Sequence, residues 1–168
     1  MKHFNLVLLQ LQLGYKLACS KRPQERRMAL ILLENVLEIS LRSHVEFEFD
    51  KDWYIDDAKR VPERQRFGIR RYYDQLLKYS TECGVITKKE KSLLEFVHDI
   101  RNQTYHLAGF YDEQLVDVGL SIIIKLILEN PGKWKLVTGL IGYGQEISSE
   151  NLFFKKDELF PRIEEEFP

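Results

Sequence analysis

Arg101, Asn102, Tyr105 and His106 fall in one stretch, Phe96 to Gly109, which reads F-V-H-D-I-R-N-Q-T-Y-H-L-A-G and also carries His98. Nowhere else does the chain bring phosphate-handling and proton-transfer side chains so close together. Arginine is a permanent cation whose planar fork of donors fits phosphate oxygens. Histidine gives and takes a proton near neutral pH, and asparagine donates or accepts to hold either in place. Together they suit attack by a ribose 2′-OH on its own phosphodiester. His106 would move the proton, Arg101 would stabilise charge on the phosphoryl oxygens, and Asn102 would orient the group. This scheme needs neither a metal nor a cofactor. Tyr105 has two roles open to it, stacking on a base or packing at a subunit interface. His98, one turn before Asn102, either assists the site or faces solvent. An isolated R-x4-H also arises often by chance on a solvated helix face, so the surrounding sequence has to decide.

The surroundings are those of a late helical segment. Thr87 and Glu90 have the spacing of a capping box. Leu93, Phe96, Val97, Ile100 and Thr104 follow at helical period and predict a core-facing stripe. On that phase His98, Arg101, Asn102, Tyr105 and His106 fall on the opposite side. In a straight helix Asn102 and His106 are stacked neighbours, whereas Arg101 and His106 diverge by roughly 140°. Contact between Arg101 and His106 then requires a helix end near Tyr105 or a second subunit.

R-N-x-x-x-H late in a helix, preceded by V-H-D-I and followed by another long apolar helix, resembles the HEPN family (higher eukaryotes and prokaryotes nucleotide-binding domain). Arg101, Asn102 and His106 carry the resemblance, which extends from Arg22 to Asn130. It implies an all-α, antiparallel bundle of four to five helices that dimerises, with paired motifs lining one cleft. It also implies a metal-independent endoribonuclease that leaves a 2′,3′-cyclic phosphate. The partners implied are RNA and a cognate antitoxin or regulatory protein, in a toxin–antitoxin or antiviral defence setting. Other members of the family are non-catalytic modules for dimerisation or for nucleotide or protein binding. Some toxins carry a modifiable tyrosine two residues after the histidine; here that position is Ala108.

The elements that must hold this stretch follow from pattern. At 168 residues the chain is long enough for one domain with a substantial core. We read residues 1–132 as the helical bundle and 133–168 as a less regular C-terminal extension. With 44% apolar and 30% charged residues the composition is that of a globular protein. A net charge of −1 exerts no global pull on nucleic acid, so an RNA site must be a local patch. Cys19 and Cys83 make neither a disulfide framework nor a metal quartet, and a reducing, cytoplasmic setting is expected. Gln10, Gln12 and Lys16 interrupt the N-terminal apolar run, which argues against a signal peptide. No segment reaches the roughly 18 apolar residues of a membrane span.

Residues 4–18 alternate like a strand but also fit a helix through Leu6, Leu9, Leu13 and Leu17; long side chains and helical company favour the helix. Pro23 suits a first helical turn, and Ala29, Leu32, Leu33, Val36, Leu37 and Leu41 carry a central helix to about Val45. Arg22, Arg26 and Arg27 at its start are read as a solvated helix end. Residues 46–57 are acidic with interspersed aromatics and are either an irregular connector or an extension of that helix, anchored by Phe47, Phe49, Trp53 and Tyr54. Next comes a basic helix with Lys59, Arg60, Arg64, Arg66, Arg70 and Arg71. Arg70 and Arg71 are candidate RNA contacts, with pairing to the preceding acidic run as the alternative. Gly84 is the expected C-cap. Asp112 and Glu113 open a last apolar helix in which Gly119 either permits a close crossing or packs with no special role.

Overall fold

A computed structural model describes residues 2–51, 60–106 and 112–129. The described chain is all-α, with six helices: α1 (Lys2–Ala18), α2 (Pro23–Lys51), α3 (Glu63–Arg71), α4 (Tyr73–Glu82), α5 (Lys88–His106) and α6 (Glu113–Glu129). Residues 133–168 lie outside the described residues, as do Trp53, Tyr54, Lys59, Ala108 and Gly109.

The bundle is built around α2. Leu30, Leu33, Leu37 and Leu41 are fully buried along it, with Ala29, Val36, Val45 and Phe49 beside them. Burying each large aliphatic side chain contributes about 1.5–3 kcal/mol. α2 therefore packs against four other helices, α1, α4, α5 and α6. Its direction relative to them follows from paired residues. Gln10 meets Asn35 while Gly14 meets Leu33, so α1 runs antiparallel to α2. Arg27 meets Thr104 while Glu34 meets His98, so α5 is antiparallel as well. Arg26 meets Asp117 while Leu30 meets Gly119, so α6 runs parallel to α2.

Two glycines set the closest crossings. A Cβ on Gly119 would stand 3.0 Å from Leu30 Cδ1, the close approach expected at that position. A Cβ on Gly14 would stand 2.9 Å from both Leu33 Cγ and Cδ2, so α1 also lies closer to α2 than a side chain there allows.

The local signals formed as read. Thr87 N–H donates to Glu90 Oε2 at 2.7 Å and Glu90 N–H donates to Thr87 Oγ1 at 3.2 Å, a complete capping box at the start of α5. Gly84 has φ 72° and closes α4 as a Schellman motif, with Val85 N–H donating to Ser80 O and Gly84 N–H to Thr81 O. Asp112 caps α6 by accepting from Gln114 N–H at 2.9 Å.

Four readings need correction or resolution. First, α2 runs on to Lys51, so at least residues 46–51 extend the helix; Phe49 is its anchor there, while Phe47 is exposed. Second, the expected single basic helix breaks at Tyr72, whose extended backbone (φ −110°, ψ 128°) separates α3 from α4. α3 folds back so closely that Gln75 lies over Gly68, where there is no Cβ to meet it. Third, at the start of α2 only Arg22 is solvated as read, exposed and paired with Glu25. Arg26 pairs with Asp117 at 2.8 Å and Glu113 at 3.6 Å on α6, and Arg27 donates to the Thr104 carbonyl on α5. Fourth, the core stripe of α5 is Leu94, Val97, Ile100 and Thr104, with Phe96 exposed. That turns the helix from the predicted phase and moves His98 and Arg101 from the far side to the flank of the core.

Candidate active site

The rotation of α5 is what builds the site. Residues 98, 101, 102 and 105 recur at helical spacing, and on the observed phase they border the buried stripe. The innermost of them meet Glu34, a residue of α2 that has no solvent exposure. Glu34 sits among Leu30, Leu37 and Leu41 on one face of α2, so its carboxylate is carried into the core by the residues that bury the helix.

A buried carboxylate needs partners, and α5 supplies them. His98 Nδ1 lies 2.7 Å from Glu34 Oε1. Arg101 Nε lies 3.6 Å from Glu34 Oε2, close enough for an ion pair and too far for a hydrogen bond. Both of those atoms are buried without a hydrogen-bond partner among the described residues. Arg101 Nη1 donates to Asn102 Oδ1 at 2.9 Å, which ties the guanidinium to the next residue. From α4, Tyr73 stacks on the His98 ring with centroids 3.9 Å apart and planes 14° from parallel. Burial and the neighbouring Glu34 and Glu38 carboxylates push the Tyr73 hydroxyl well above its ordinary pKa, so it stays a donor. Its oxygen is buried and unpartnered.

The structure thus brings together Arg101, Asn102 and His98, with Tyr105 one turn further on and 65% exposed. His106 is the last residue of α5, and its side chain lies outside the described residues. The helix runs unbroken to His106, so no helix end falls between Arg101 and Tyr105.

Arg70 and Arg71 are elsewhere. Arg70 makes a two-pronged pair with Glu46, at 2.8 and 2.9 Å, and lies 3.5 Å from Glu63. Glu46 is about 18 Å along α2 from Glu34, so the Arg70 guanidinium is turned away from the motif even though α3 ends only two residues before Tyr73. The hydrogen bond from Arg70 holds Glu46 below the usual carboxylate range, and the same bond raises the Arg70 pKa. Arg71 is exposed, 5.7 Å from the Phe67 ring and 6.0 Å from the Tyr72 ring.

Sequence reasoning missed Glu34 and Tyr73 as members of the site and missed Arg27 as the cap on Thr104. A signal for Glu34 was present. In A-L-I-L-L-E-N-V-L it occupies the same face as Leu30 and Leu37, where a charge is tolerated only if something answers it. Among the described residues, no group of three or more His, Cys, Asp or Glu is placed to hold a metal ion. No described helix is long and apolar enough to cross a membrane. Comparison with protein-family models, with curated proteins and with solved structures gives no match.

Proposed function

We propose that this chain is a metal-independent endoribonuclease of the HEPN type. It cleaves RNA by 2′-OH attack, leaves a 2′,3′-cyclic phosphate, and acts as a dimer in a cytoplasmic toxin–antitoxin or antiviral defence system. The observation that carries the reading is the hold on Arg101. Its Nε is turned to the buried Glu34, and its Nη1 is tied to Asn102. A guanidinium hydrogen-bonded at Nη1 and drawn by charge toward Glu34 is preorganised for a phosphoryl oxygen, and such fixed charge is where most transition-state stabilisation originates. His106 supplies proton transfer, Asn102 orients Arg101, and Tyr105, exposed beside them, offers a ring for a base.

A second reading is a non-catalytic HEPN-like module that dimerises or binds a nucleotide or a protein. The same Glu34 contact favours it, because a buried acid needs a cation whether or not RNA is cut.

The deciding experiment is cleavage of a broad single-stranded RNA panel in excess EDTA by the parent, His106→Ala and Arg101→Lys chains. Arg101→Lys keeps a charge near Glu34 while losing the planar fork. Cleavage by the parent alone, with cyclic-phosphate ends, supports the ribonuclease. Equal activity in all three removes these residues from catalysis, and no cleavage by the parent favours the binding module.

A further inference from the structure

We propose that His98, oriented by Glu34, is the general base of the phosphodiester cleavage, an assignment that rests on the ribonuclease reading above. Transesterification moves two protons. The 2′-OH gives one up as its oxygen bonds to phosphorus, and the 5′-oxygen takes one up as its bond to phosphorus breaks. Near neutral pH each transfer needs its own group. Arg101 stays protonated throughout and Asn102 does not titrate, so His106 fills one role and the other is open.

Three features place His98 in that role. Its Nδ1 is 2.7 Å from the Glu34 carboxylate, which takes the Nδ1 proton as its hydrogen-bond donor and leaves Nε2 as the ring nitrogen available to receive a proton in the neutral form. That is the tautomer a base needs, held by a buried acid as in other histidine–carboxylate pairs. Stacking on Tyr73 fixes the plane of the ring. Nε2 makes no hydrogen bond among the described residues and is not one of the buried unpartnered atoms, so it faces outward, free to meet a hydroxyl. On one helix His98 and His106 are about 12 Å apart along the axis. We assign the acid to the His106 of a second copy, since the two residues stand more than two turns apart on one helix.

Base and acid are separated by the leaving group. The test uses the full chain with two RNA oligonucleotides, one natural and one with sulfur in place of the bridging 5′-oxygen at the linkage the parent cleaves. A thiolate leaves without a proton, so loss of the acid is forgiven and loss of the base is not. His106→Ala should lose about 10²–10³-fold on the natural RNA and recover to near the parent rate on the sulfur substrate. His98→Gln should lose a similar factor on both. Glu34→Gln should follow His98→Gln. Loss of folded chain also lowers both rates together, so the folded, dimeric fraction of each variant is measured by urea titration and sedimentation and the rates are compared per folded dimer. Recovery of His98→Gln on sulfur, or no loss on either substrate, overturns the assignment while leaving the ribonuclease standing. A parent that cleaves neither substrate overturns both.

Discussion

Removing Arg101 strips Glu34 of a counter-charge that solvent cannot replace, since the carboxylate has no exposure. Breaking a buried pair from one side typically costs about 3–5 kcal/mol. Arg101→Ala should therefore unfold at markedly lower urea than the parent, and Glu34→Gln combined with Arg101→Ala should lose less than the two single changes added together. The Glu46–Arg70 pair is the contrasting case. Both side chains are more than a third exposed, so the pair contributes about 0–1 kcal/mol and less in high salt. Its direction with pH is fixed by Glu46, whose proton is held less tightly in the folded chain than in the unfolded one. Its contribution is present above the ordinary carboxylate pKa and fades as pH falls through the depressed folded value. Acid titration of Arg70→Ala against the parent should show the difference in stability shrinking below about pH 4. Arg101 and Asn102 were legible because their relation is local. Glu34 escaped because its partner His98 is 64 residues away, and single-chain periodicity reports which face is buried but not what stands opposite.

At the scale of the helix, reading worked wherever a signal and its partner lie within one turn. Thr87 with Glu90 and the closing Gly84 needed only neighbouring residues, and both formed. Thr87→Ala should cost about 1 kcal/mol by removing the acceptor for Glu90 N–H, measurable as a shift of the urea midpoint. The break at Tyr72 had no such local mark, because it depends on α3 folding back on α4 over Gly68. The phase of α5 was misjudged because Leu93 and Leu94 are adjacent and either can lead a stripe; tertiary packing chose Leu94. The glycines allow a comparison of magnitudes. Alanine in a helix gains about 1 kcal/mol over glycine. At Gly119 the new Cβ meets one terminal methyl at 3.0 Å, so gain and crowding nearly cancel. At Gly14 it meets Leu33 Cγ and Cδ2 at 2.9 Å, within a fully buried side chain that has little room to yield. Overpacking of that kind costs about 1–3 kcal/mol, so Gly14→Ala should lower the thermal midpoint while Gly119→Ala leaves it nearly unchanged.

The whole molecule binds RNA, on our reading, without help from net charge, which is −1. Recognition then depends on assembling the motif, and the proposed site is complete only in a dimer. Sedimentation should give twice the 20.0 kDa chain mass. Mixing His98→Gln with His106→Ala chains should restore up to about a quarter of the parent activity, because half the random dimers hold one intact site. Arg27, finally, ties the start of α2 to the carbonyl of Thr104 across 77 residues of chain. Contacts between such distant residues are costly in loop-closure entropy and form after local ones. The end of α5 therefore gains this tie later than its own helical hydrogen bonds. In hydrogen exchange, the amides of residues 102–106 should open at lower free energy than those of residues 94–100, with Arg27→Ala widening the gap. A chain emerging from the ribosome would hold the end of α5 as an isolated turn, without its tie to α2, until Arg27 and Thr104 had met.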